Sequence, residues 1–207
     1  MQTRGEVARA KILQEAFRAF ARFGYDGTRL DKVAATLGVT RQALLFHFKD
    51  KRGLYDAALE LLFEQREEGL DSRQREEFEQ LADYVDYLVE YSVNFYLQNP
   101  EYMRLLLRLL MGEGPGAAEA PQAGKGMVGR WEEVLAEGLS SGATAPVPVS
   151  SLVAVIGGTL SYYMLLPQGA RTGIDLMNYD PASEKEVVQI TADLQRAVRG
   201  LLGLEQA

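Results

Sequence analysis

Apolar residues recur at steps of three and four through most of this chain, the spacing that builds one buried face on an α-helix. Ile12, Ala16, Phe17, Phe20 and Phe23 form the first such stripe, and Gly24 ends it in a Gly-Tyr-Asp-Gly turn at 24–27. A short helix should follow. Thr28 is placed to cap its free amides, Asp31 suits its positive end, and Leu30, Val33, Ala34 and Leu37 form its buried face before Gly38. Thr40 predicts the cap of a third helix through Arg41–Phe48, and Asp50 the cap of a longer fourth carrying Leu54, Ala57, Ala58, Leu61 and Leu62.

Beyond Gly69 the stretch 71–80 turns acidic and polar, which predicts a seam between two parts of the chain. A long helix then presents Leu81, Tyr84, Val85, Leu88, Ser92 and Phe95 on one face and stops near Asn99-Pro100. Further helices are expected over 101–111, 127–139, about 150–166 and 183–202. Loops rich in Gly, Ala and Pro separate them at 112–126 and 140–149, and a third loop lies between the last two. No segment alternates with a strand's period of two, and no solenoid repeat occurs, so the predicted fold is all-α. The expected division is a three-helix head over 1–50 and a larger helical domain over 51–207.

Charge adds what periodicity leaves out. The whole chain carries a net charge of −7. Residues 1–55 nevertheless hold 11 Lys and Arg against 5 Asp and Glu, and removing these from totals of 22 and 29 leaves 11 against 24 in the remainder. A basic head on an acidic body is the footprint of a protein that offers one end to a polyanion. There is no Cys and one His, His47, which leaves no thiolate or imidazole cluster for a metal and no Cys-His nucleophile. The Gly-Glu-Gly-Pro-Gly run at 112–116 lacks the Lys-Ser/Thr of a phosphate loop. An enzyme is therefore not expected, and no cofactor is assigned. The N-terminus lacks the apolar stretch of a signal peptide, and the longest apolar-rich run, Leu152–Leu166, contains Gly157, Gly158, Thr159 and Ser161 and falls short of a bilayer span. These features predict a cytoplasmic protein with no membrane partner.

Two short helices joined at Gly38 within the basic segment have the arrangement of a helix-turn-helix, whose second helix presents side chains to base edges. Val33, Leu37, Val39 and Leu44 would lock the pair, and Arg41 and Gln42 would face outward. The stretch from Ile12 to Leu59 resembles the DNA-binding domain of the tetracycline-repressor (TetR) family. The resemblance rests on the first helix ending in Phe-Gly-Tyr, Thr28, the Val33-Ala34 pair, Gly38-Val39-Thr40, and His47-Phe48 followed by Lys51. It implies phosphate contacts from Thr28 and its helix start, and from Thr40, His47 and Lys51. Arg41 and Gln42 would read bases. The family usually carries Tyr where this chain has Leu45, so that contact is either missing or supplied by Phe46.

The same resemblance implies a ligand-responsive homodimer on a palindromic duplex operator, commonly repressing. The last two helices would dimerise through Leu152, Ile156, Thr159, Tyr163, Ile190, Leu194 and Val198. Tyr84, Tyr87, Tyr91, Phe95, Tyr102, Met103 and Trp131 are candidates to line an apolar cavity for a small hydrophobic effector, aromatic or fatty acyl. An acyl-coenzyme A would bring Arg104, Arg108 or Arg130 to its phosphates. The helix from Lys51 to about Glu67 is the expected lever between head and body. The competing reading is a helical adaptor that binds protein through its acidic body.

Overall fold

The computed structural model describes residues 4–70, 73–115, 125–165 and 183–204. All regular structure among them is helical: α1 (Arg4–Gly27), α2 (Leu30–Thr36), α3 (Arg41–Phe48), α4 (Lys51–Leu70), α5 (Leu81–Gln98), α6 (Pro100–Leu110), α7 (Lys125–Ser141), α8 (Val149–Leu165) and α9 (Glu184–Leu202), with a 3₁₀ turn at Arg75–Glu77. The chain forms two compact units, Met1–Gln65 with Glu101–Ala123, and Arg66–Pro100 with Gly124–Ala207.

In the first unit, α1 is broken at Gly24, whose φ of 71° and ψ of 178° lie outside helical space and are easily reached only by glycine. Ile12, Ala16, Phe17 and Phe20 are buried as the periodicity predicts, whereas Phe23, one residue before the break, is 54% exposed. The break lets Tyr25 turn inward, where its ring lies 6.2 Å from Phe20 and 5.1 Å from Tyr55 of α4. Arg108 of α6 closes the broken end. Its Nε donates to the Ala21 carbonyl at 3.1 Å and its Nη2 to that of Arg22 at 3.3 Å, while Glu113 holds the remaining guanidinium nitrogen. A fork of cationic donors at the last carbonyls of a helix serves both the hydrogen bonds and the helix dipole. Asp50 caps α4 as expected, its Oδ1 accepting from the Gly53 amide at 2.7 Å.

The second unit packs α5 against α7, α8 and α9, with α8 also against α7 and α9. Its core holds Tyr84, Val85, Leu88 and Val89 of α5, Trp131 and Val134 of α7, Leu152, Ile156 and Leu160 of α8, and Ile190, Leu194, Val198 and Leu202 of α9. Two arginines fasten the helices. Arg199 of α9 binds both carboxylate oxygens of Asp86 on α5. Arg75, ahead of α5, binds Glu137 of α7 at 2.9 and 2.6 Å and donates to the Phe78 carbonyl at 2.6 Å. Ser183 caps α9 through the Glu186 amide.

Five residues expected at a dimer interface are thereby accounted for within one subunit. Leu152, Ile156, Ile190, Leu194 and Val198 are at most 4% exposed, so they have no area left to bury against a partner. Thr159 and Tyr163 are half-buried. Among the described residues, the large apolar side chains that α8 and α9 leave exposed are Val153, Tyr162 and Val188, at 45, 52 and 63% exposure. Part of the loop expected at 112–126, and residues 166–182 between α8 and α9, lie outside the described residues.

Candidate nucleic-acid interface

The pairing of α2 with α3 is set by a short apolar list. Val33 and Ala34 of α2 meet a head core completed by Leu44 and Phe48 of α3, all 5% exposed or less. Between the helices Gly38 adopts φ 66°, a left-handed turn that a side chain would strain. Thr40 then caps α3, its Oγ1 accepting from the Ala43 amide at 3.1 Å.

Thr28 does not cap α2. The N-cap position is Arg29, which makes no side-chain cap. The Thr28 hydroxyl points back along the chain and donates to the Gly24 carbonyl at 2.6 Å, and the residue is 2% exposed. This is the back-bond to a carbonyl four residues earlier that Thr hydroxyls commonly make. The exposed cation at the start of α2 is Arg29, overlooked in the sequence because Thr28 seemed to fill the capping role. Its position immediately before the helix was the available signal.

On α3, Arg41 and Gln42 are exposed. Arg41 lies 3.6 Å from Asp31 of α2, with both side chains more than half exposed. Such a pair contributes little stability and opens readily for a stronger acceptor. Phe46 is 86% exposed. The half-buried His47 ring meets it edge-on, with centroids 5.5 Å apart. Lys51 is half-buried; its Nζ donates to the Asp26 carbonyl at 3.3 Å and sits 4.7 Å over the Tyr25 ring. That placement ties the start of α4 to the turn after α1 and leaves further ammonium protons for another acceptor. Thr40, Arg41, Gln42, Phe46, His47 and Lys51 thus belong to one compact unit, together with Lys32 and Arg29.

The expected effector-binding residues divide between the units. Tyr84 and Trp131 are core residues of the second, each 1% exposed, and burial holds the Tyr84 phenol above its ordinary range. Tyr87, Tyr91 and Phe95 form a half-buried ladder along α5, with ring centroids 6.5 and 6.0 Å apart. Arg73 extends it, 4.1 Å over Phe78 and 5.5 Å over Tyr87. Tyr102 and Met103 are buried on α6 in the first unit, and Arg104 is exposed there. Arg108 is committed to the end of α1 and Arg130 lies 3.7 Å from Glu133. No helix among the described residues is long and apolar enough to cross a membrane, and no His, Cys, Asp and Glu cluster among them is suited to a metal.

Comparison with known proteins bears on this head directly. Residues 12–64 match the family of bacterial regulatory proteins of the tetR type through its N-terminal domain. The chain is 28% identical over 173 residues to the HTH-type transcriptional regulator RutR of Escherichia coli, covering 79% of each protein. It is 33% identical over 54 residues to IcaR of Staphylococcus aureus, a negative regulator of a biofilm operon, covering 26% of this chain and 29% of that one. A Clostridium perfringens protein assigned to the regulation of fatty acid metabolism shares its fold, with a TM-score of 0.71 at 18% identity over 95% of this chain and 99% of that one.

Proposed function

We propose that this chain is a DNA-binding transcriptional regulator of the TetR family, whose N-terminal domain its residues 12–64 match, and from that premise we derive how it reads its operator and what releases it. One observation carries the reading: α3 is capped, packed on α2 by buried apolar residues, and turns Arg41, Gln42 and Phe46 outward from a basic head. Arg41 and Gln42 contact base edges in the major groove, and Phe46 lies against the bases beside them. Thr40, His47 and Lys51 fix register on phosphates, joined by Arg29 at the start of α2. Thr28 supports the head from within.

Two heads are needed to read a palindrome. The homodimer forms through the faces of α8 and α9 that carry Val153, Tyr162 and Val188, with Thr159 and Tyr163 at the margin. Exposed small residues Ala154, Gly158, Ala192 and Ala197 let the helices of two subunits approach closely. The DNA-free subunit is cytoplasmic. Its effector is a small hydrophobic molecule, aromatic or fatty acyl, held beside the half-buried Tyr87–Tyr91–Phe95 ladder. The effector favours a dimer with its heads misplaced for the operator, with α4 as the connecting element, and so relieves repression.

Selection of bound sequences from random duplex DNA by the purified protein tests the reading. It should recover a palindrome with half-sites one helical turn apart, bound with a steep salt dependence as counterions are released. No preferred sequence at any salt concentration would return a helical adaptor as the better description.

A further inference from the structure

The outward centre of α3 is apolar. Leu44 and Phe48, four residues apart, are buried at 0 and 5% exposure and define the inner line of the helix. At 100° per residue, Phe46 stands opposite that line, with Gln42 one turn before it and Ala43 on its other flank, both exposed. Arg41 lies off this line, toward Asp31. The deepest part of the reading surface is therefore one amide flanked by a phenyl ring and a methyl group. The ring has no hydroxyl and is braced by the edge of His47.

A phenyl ring pressed on a base edge desolvates whatever that edge carries. The N7 and O6 of guanine, the N4 amino group of cytosine and the N7 and N6 of adenine would each lose water without gaining a partner, which is costly. Thymine alone offers an apolar group in the major groove, its C5-methyl. We propose that Phe46 determines specificity by packing on a thymine methyl, next to an adenine read by Gln42. Four residues of helix advance about 6 Å, so the two contacts fall within about two base pairs of each other. The proposal rests on α3 being the reading helix and adds which base chemistry it takes.

The experiment starts from the duplex recovered by selection and replaces each thymine in turn, symmetrically in both half-sites, by deoxyuridine, which lacks only the methyl. Affinities of the full-length protein are read by fluorescence anisotropy. One thymine position, within two base pairs of the base at which Gln42→Ala loses discrimination, should cost about fourfold per methyl, or about fifteenfold for the symmetric pair. In Phe46→Ala the same replacement should change affinity by less than about twofold. Phe46 is exposed, so the variant keeps its fold, and Phe46→Leu should retain part of the sensitivity. Absence of any sensitive thymine, or full sensitivity persisting in Phe46→Ala, overturns the proposal while leaving the regulator reading intact. Recovery of no site at all overturns both.

Discussion

Removal of the Arg108 side chain tests how the head is held in shape. Its guanidinium donates at 3.1 and 3.3 Å to two carbonyls in the last turn of α1 before the Gly24 break. The group is 30% exposed, so water replaces part of what Arg108→Ala removes. A net contribution of about 1 kcal/mol for each bond is reasonable, with the Glu113 pair adding at most a few tenths. The expected loss is about 2 kcal/mol. Amide hydrogen exchange reads it locally: amides of Phe17–Phe23 should exchange about thirtyfold faster. Arg108→Lys keeps the charge but not the planar fork, and should recover about half of the loss. Exchange within about twofold of the parent in Arg108→Ala would show that the break in α1 needs no support from α6.

Three further expectations follow from named contacts. Thr40→Ala removes the cap of α3 and should cost about 1 kcal/mol in thermal or urea unfolding, with Thr40→Ser nearly neutral. Burial, with the Asp56 charge second, raises the Tyr55 phenol above its ordinary 10.0, so the folded state favours the protonated form. The associated stability is intact below pH 10 and falls as pH rises toward the folded value; in Tyr55→Phe the stability difference from the parent should therefore shift in the variant's favour above pH 10 and stay flat below it. Val153→Glu combined with Tyr162→Glu should convert the dimer to a folded monomer in sedimentation, whereas Leu152→Glu should unfold the chain, because only the first pair lies on the surface.

Helix order and most helix ends were legible from apolar spacing and punctuation. Thr40, Asp50 and Gly38 perform the roles their positions suggest, since each acts within four residues of itself. Thr28 was misread because its hydroxyl can accept from the amides ahead or donate to a carbonyl behind, and residue spacing does not choose between them. The stripes of α8 and α9 were real, but periodicity marks a buried face without saying what buries it. Leu152, Ile156, Ile190, Leu194 and Val198 turn to their own subunit, and the less regular Val153, Tyr162 and Val188 remain outside. Arg108 was offered to a ligand phosphate; its use at α1 depends on a contact across 87 positions that no local pattern encodes.

The central claim is that α3 reads sequence. Its most direct test is the ratio of affinities for the selected duplex and a scrambled duplex of equal length, measured for the parent and for Arg41→Ala with Gln42→Ala. The ratio should fall to near one in the double variant, while dimerisation and a salt-sensitive affinity for any duplex persist. A ratio that survives both substitutions would place recognition elsewhere and contradict the account.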